Sequence, residues 1–243
     1  MQTRELFQNA LSFIGIEIRR EETYARFEKY CNALIEKNRV MNLTAVDTPD
    51  EVFTRHFADS LAVKKAIGSL PERVIDVGCG AGFPGVPLKI LADDASEGET
   101  TLTLVDATAK KIEFLKELCS YLSLKNVCFI VGRAEVLAHN RKYREKYDLA
   151  VSRAVANLNI LAELCIPFVE VGGLFAPHKS QKAMDEIAGA KNACALLGAE
   201  IVKTVPYSLG EAQAQMLIAL IEKKEKTPAQ YPRGFAKIKS KPL

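Results

Sequence analysis

Apolar positions along the chain change their period twice. Up to about residue 70 they recur at helical spacing, with Tyr24, Phe27, Cys31 and Leu34 on one face. Thr48-Pro49-Asp50-Glu51 reads as a helix start: Thr48 at the cap, Pro49 at the first helical position, Glu51 placed to close a capping box. Val52, Phe53, His56, Phe57, Ser60 and Leu61 continue along that helix. From about residue 72 to 223, short apolar runs alternate with helical patterns. The runs at 73–77, 101–106, 127–131, 148–152, 174–178, 200–206 and 215–221 predict strands. Between them, Ile112, Leu115, Cys119 and Leu122 form one amphipathic face. Such alternation predicts a parallel sheet covered by helices on both sides. The last two runs are joined by a short link containing Gly210, too short for a helical crossover, so they are expected to pair as an antiparallel hairpin. Beyond residue 222 the periodicity stops, and lysines mix with Pro228, Pro232 and Pro242.

The 243 residues therefore divide into a helical extension (1–70), an α/β unit (71–223) and a tail (224–243). At 48% apolar, the chain can fill a core. A net charge of +3 does not by itself mark a nucleic-acid binder, but its distribution is uneven. From residue 222 onward, seven cations face two carboxylates, a net +5 that leaves the rest of the chain at −2. The six cysteines form no Cys-x-x-Cys pair, and His56, His139 and His178 do not cluster with them in sequence, so no metal site is expected. Buried, reduced thiols are the expectation instead. Residues 1–11 hold no signal-peptide core, and no apolar stretch approaches the roughly 20 residues of a membrane helix. A cytoplasmic monomer is expected.

The densest chemical information lies at 74–88. A short strand ends in Asp76, and Gly78, Gly80, Gly82 and Gly85 follow before a helix predicted over about 84–91. Glycines this close together let bare backbone amides approach a ligand at the carboxyl end of the first strand, where open α/β sheets bind. Two cofactor classes fit. Gly80-x-Gly82-x-x-Gly85, with Asp106 21 residues beyond, matches a dinucleotide fingerprint. The earlier frame, Asp76-Val-Gly78-x-Gly80-x-Gly82, suits S-adenosylmethionine better. An acid at the strand end has no reason to face a pyrophosphate, but it favours an ammonium or sulfonium. Asp106 would then accept hydrogen bonds from the ribose hydroxyls, or alternatively would cap the following helix.

The stretch 75–88, and above all its Gly-Phe-Pro-Gly-Val-Pro segment, resembles the RsmG (glucose-inhibited division protein B) family of bacterial 16S rRNA guanine-N7 methyltransferases. Similar segments span nearly the whole chain: 38–45, 55–61, 104–107, 110–115, 132–135, 151–154, and the tail segments 231–233 and 241–243. The resemblance implies a Rossmann-like class I methyltransferase. Its seven-stranded, mostly parallel sheet would end in an antiparallel hairpin behind an N-terminal helical extension. It implies S-adenosyl-L-methionine as methyl donor, 16S rRNA or the small ribosomal subunit as partner, and a 530-loop guanine as target. It places Gly78 and Phe83 against the cofactor, Ala134 and Glu135 beside its adenine, and Arg153 near the transferred methyl. The chain departs from the family's habit at Lys179-Ser180 and at Ala236, where glycines are common.

Guanine N7 carries a free lone pair, so its methylation needs placement and charge tolerance rather than a general base. Extruding the base would expose N7. His56, Asp59 and Ser60 share a helix face. Asn42, Arg55 and His56 are expected to line the guanine side, although His56 could equally be a buried structural residue and Ser60 could pack under the glycine loop. Arg153, at the end of an apolar strand, reads as functional. Cys79 has no partner base and is not expected to act as a nucleophile. The tail lysines could lie along RNA phosphates. A methyltransferase for a small molecule or protein, an oxidoreductase holding a nicotinamide or flavin, and a non-catalytic RNA-binding module remain alternatives at this stage.

Overall fold

The computed structural model describes residues 2–95, 99–153, 156–180, 183–211 and 214–243. Two helices open the chain, α1 (Gln2–Phe13) and α2 (Glu21–Met41). The predicted face of α2 is buried, with Tyr30 added to it. The helix ends at Asn42, whose left-handed backbone (φ 49°) turns its N–H back to the Asn38 carbonyl as a C-cap. Thr48 caps α3 (Pro49–Glu51), its hydroxyl accepting the Glu51 N–H. The Glu51 carboxylate bonds the Thr48 hydroxyl and Arg55. The spacing predicts an unbroken α-helix from here. Instead, residues Val52–Ala58 form a π-helical turn before α4 (Asp59–Ile67).

Seven strands form one sheet among the described residues: β1 (Arg73–Val77), β2 (Thr101–Asp106), β3 (Val127–Val131), β4 (Tyr147–Ser152), β5 (Val169–Ser180), β6 (Ala199–Tyr207) and β7 (Met216–Lys223). Their order is β3-β2-β1-β4-β5-β7-β6. The first five run parallel, and β7 is antiparallel to both β5 and β6. The first three strands coincide with the sequence prediction. β5 is much longer than the predicted 174–178, because Gly172-Gly173 interrupts its apolar pattern. A Cβ on Gly173 would lie 2.7 Å from the Asp148 carbonyl, so only glycine permits this approach of β5 to β4, beside a register shift between Tyr147 and Leu149.

Helices α5 (Gly85–Ala95) and α6 (Ala109–Tyr121) join α1, α2 and α4 over one face of the sheet. Their core runs from Phe7, Phe27 and Phe57 through Leu88 and Leu115 to the strand residues Leu102, Leu104, Leu149 and Val151. The helical extension thus shares its core with the sheet. The other face carries α7 (Ala134–Leu137), α8 (Leu158–Cys165), α9 (Met184–Gly189) and α10 (Lys191–Leu196). It also carries α11 (Phe235–Ser240), which was not expected in an aperiodic tail. Ile238 of α11 is fully buried in this second core. Arg144 holds the chain leading to α11, donating to the carbonyls of Thr227 (2.7 Å) and Tyr231 (2.9 Å). Cys128 departs from the expectation of buried thiols: it lies on edge strand β3 and is exposed. No helix of the described residues is long and apolar enough to cross a membrane, and these residues bring together no metal-binding cluster.

Candidate active site

β1 ends at Asp76-Val77, and the chain turns at once through the glycine loop into α5. The Gly78 and Cys79 amides donate to the Val105 carbonyl at 2.9 and 3.0 Å. The Gly80 amide donates to Asp106 Oδ2 at 3.1 Å, so the loop folds over the end of β2. Asp106 Oδ1 accepts from the Thr108 N–H at 2.8 Å. Thr108, not Asp106, occupies the cap position of α6. Asp106 therefore clamps the loop and borders the cleft beside it.

Asp76 is wholly buried. Its Oδ2 accepts the Gly85 N–H at 2.8 Å at the start of α5, while Oδ1 has no partner among the described residues. Burial pushes this carboxyl up to about 7, against the lowering pull of the Gly85 N–H and Arg153. The Cys79 thiol is also buried, which raises it well above its ordinary value. It stays protonated and is no nucleophile. Tyr30 fastens the loop from α2. Its hydroxyl donates to the Ala81 carbonyl at 2.7 Å, and its ring stacks on Phe83 at 5.4 Å. Gly82 has φ 107°, and a Cβ there would sit 2.6 Å from the Tyr30 hydroxyl. Glycine is required both for the backbone conformation and for this contact.

Arg153, just after β4, ties the loop to the π-turn. Its Nη1 donates to Asp59 Oδ2 (3.0 Å) and to the His56 carbonyl (3.2 Å), and its guanidinium carbon lies 4.7 Å from the centre of the Phe83 ring. Its Nη2 lies 3.1 Å from His56 Nδ1. Nδ1 also lies 3.2 Å from the Arg55 carbonyl, and Nε2 lies 2.7 Å from Thr44 Oγ1, so both ring nitrogens have partners. Burial, reinforced by Arg153, lowers His56 to about 4, so the ring is neutral at pH 7. π-turns recur at functional sites, and here the turn presents its carbonyls to Arg153. Burial would raise the Asp59 carboxyl. Interaction with His178 and Arg153, together with hydrogen bonds from Tyr207 (2.5 Å) and Arg153, outweighs burial and holds it below its ordinary value. Burial also lowers His178, so at neutral pH Arg153 is the positive partner that remains.

Two clefts flank this assembly. The first is lined by Val77, Gly78, Asp106, Ala134, Glu135, Leu161 and Leu164. The second, of about 400 Å³, is lined by Arg55, His56, Asp59, Arg153, His178, Lys179, Glu186 and Met216. The structure thus brings Gly78, Asp106, Ala134 and Glu135 together at one cleft, and Arg55, His56 and Arg153 at the other. Gly80 and Gly82 shape the loop. The Phe83 ring lies between Tyr30, His56 and Arg153. Asn42 is not brought in: it is exposed at the end of α2, where its backbone serves as the helix cap. Ser60 bonds the His56 carbonyl at 2.6 Å and is fully buried. Lys179 is held by the Ala156 carbonyl (2.8 Å) and Glu186 (2.6 Å). Ala154, the last residue of the 151–154 segment, lies outside the described residues.

Residues 23–217 match the family model described as rRNA small subunit methyltransferase G. The chain belongs to this family. It is 39% identical, over the full length of both chains, to the ribosomal RNA small subunit methyltransferase G of Alkaliphilus oremlandii. It is 40% identical to that of Exiguobacterium sp. over 98% of each chain. Among solved structures, it resembles M. jannaschii TYW2 in complex with AdoMet (TM-score 0.50, 15% identity, 68% of this chain and 76% of that one). It also resembles the ribosomal protein L11 methylase of Lactobacillus delbrueckii subsp. bulgaricus (TM-score 0.50, 15% identity, 71% and 80%). These two likenesses bear on the fold, a class I methyltransferase sheet. Family membership makes the chain an rRNA methyltransferase that uses S-adenosylmethionine.

This cofactor fits the residues present. The first cleft offers apolar walls with the Asp106 and Glu135 carboxylates, and Asp76 Oδ1 is a buried acceptor with no donor among the described residues. Sequence reasoning missed three residues that build the site: Thr44, Tyr30 and Tyr207. Only Thr44 had a usable signal. It falls in the 38–45 segment, where the Asn38 side chain brackets it, its Nδ2 donating to the Thr44 carbonyl and its Oδ1 accepting the Thr44 N–H, both at 2.9 Å.

Proposed function

We propose that this family member transfers a methyl group to N7 of a guanine in 16S rRNA, the 530-loop guanine being the target that family resemblance favours, and that it acts on the small subunit or its precursors in the cytoplasm. The arrangement of Arg153 carries this reading. One cation spans the glycine loop and the π-turn and lines a cleft large enough for a base, while the first residue of the same loop, Gly78, lines the cleft suited to adenosine. Residues 71–223 hold the cofactor, and the extension at 1–70 supplies the wall that faces the guanine. Gly78, Asp106, Ala134 and Glu135 would hold the adenosine end, and Asp76 would favour the positive end. When bound, S-adenosylmethionine supplies an electrophilic methyl on a sulfonium.

The protein's own residues are suited to placement rather than proton abstraction. Both nitrogens of the neutral His56 ring are engaged, and Asp59 is locked by Arg153 and Tyr207. Neither is a free base, which matches a nucleophile that has no proton to lose. Arg153 orients His56 and Phe83 beside the second cleft, and Arg55 stands at its rim, half held by Glu51 (2.7 Å). The test is methyl transfer from tritiated S-adenosylmethionine to small subunits from cells lacking this gene. Label in the 16S rRNA is expected, with Arg153→Ala lowering kcat/KM by on the order of a hundredfold, as for removal of a positioned site group. Label in protein alone, or in neither, would contradict the reading.

A further inference from the structure

The tail is tied to both walls of the cofactor cleft. On one wall, Arg133 and Glu135 form an ion pair, with Glu135 only 9% exposed at the cleft. The Arg133 guanidinium carbon lies 4.5 Å from the centre of the Phe235 ring, so a tail aromatic stacks on the residue that holds Glu135. His139, just after α7, bonds the Pro232 carbonyl at 2.7 Å through Nε2. On the other wall, Arg233 grips Glu163 of α8. Its Nε and backbone N–H reach Oε1, both at 2.8 Å, and its Nη2 reaches Oε2 at 2.6 Å. Glu163 is fully buried, and the same helix turns Leu161 and Leu164 into the cleft. A bidentate pair of this kind fixes orientation as well as distance.

From these contacts we infer that Phe235 and Arg233 are positioning residues for the cofactor cleft: the tail sets the Arg133–Glu135 pair and α8 at the spacing that S-adenosylmethionine needs. The inference rests on reading Ala134 and Glu135 as the adenosine end of the site. It gives residues 232–235 a role in cofactor affinity, separate from any contact the tail lysines make with RNA.

The test measures S-adenosylhomocysteine binding calorimetrically, without RNA, on the full-length protein. Phe235→Ala is expected to weaken binding about fivefold, in line with loss of a stacked cation, while its Tm stays within a few degrees of wild type. Phe235→Trp is expected to restore affinity. In methyl-transfer assays the Ala variant raises KM for S-adenosylmethionine and leaves kcat near wild type. Unchanged affinity in Phe235→Ala, with a Glu135→Ala variant clearly weakened, overturns the inference and keeps the site. Unchanged affinity in both overturns the site reading as well. Equal loss in Phe235→Ala and Phe235→Trp, with a matching fall in Tm, would show a merely structural tail and also overturns the inference.

Discussion

At the residue scale the glycine loop and the π-turn are held by the buried acids Asp76 and Asp59 and by the cation Arg153. Asp76 keeps one oxygen without a partner among the described residues, and burial pushes its carboxyl up to about 7. Raised above the unfolded value, this carboxyl costs stability as pH climbs from about 4 to 7, because the unfolded chain loses its proton first. Asp76→Asn should therefore leave the ligand-free protein at least as stable at pH 8 in a thermal melt. It should also weaken S-adenosylmethionine binding about tenfold, the equivalent of 1.4 kcal/mol. Wild-type affinity should fall as pH drops through 7, and that slope should be absent in the variant. His56 behaves oppositely. Its folded value of about 4 lies below the ordinary 6.5, so the unfolded state takes up the proton first and stability is lost as pH falls from 6.5 towards 4. The urea midpoint of His56→Gln should fall less over that window than that of wild type. Gly78 and Asp106 were readable as candidates because each sits at a strand end, whereas Ala134 and Glu135 came only from the family resemblance; all four line one cleft. Tyr30 and Tyr207 were not: they reach the loop and Asp59 from residues 51 and 148 positions away.

At the element scale, strands buried on both faces announce themselves as short apolar runs, which is why β1 and β2 were readable to the residue; edge strand β3 is only partly covered and was readable from its apolar β-branched run, Val127 to Val131. The π-turn was not, because the Arg153 contacts that accompany it come from 97 residues further along the chain. β5 was shortened in the reading by two glycines whose purpose, close approach to β4, appears only in three dimensions. The joint between α2 and the glycine loop gives a direct check. Tyr30→Phe keeps the stacked ring but leaves the Ala81 carbonyl unpaired, a cost of about 1–2 kcal/mol in urea unfolding. Unchanged stability would mean that the hydroxyl does not fasten the loop.

Across the whole molecule, the extension, sheet and tail are one packed structure rather than a catalytic unit with appendages. The helices of residues 1–70 share their core with one face of the sheet, and α11 is buried against the other. The basic tail looked free in sequence because its anchors, Arg144 and Glu163, lie far upstream. Deleting residues 227–243 would remove the Arg233 partner of Glu163 and take the buried Tyr231 and Ile238 out of the second core. The expected outcome is a broad loss of stability in denaturant titration. A stable truncated protein with only its rRNA affinity reduced would instead make the tail an RNA arm alone.

The most direct measurement is chemical mapping. Small subunits from cells lacking the gene are incubated with the protein and S-adenosylmethionine, and the RNA is then cleaved with borohydride and aniline at N7-methylguanine. One new cleavage, at a guanine in the 530 loop of 16S rRNA, is the predicted result, lost in Arg153→Ala. Methyl incorporation into 16S rRNA without any N7-specific cleavage would contradict the assignment of the atom and, with it, a site that dispenses with a general base.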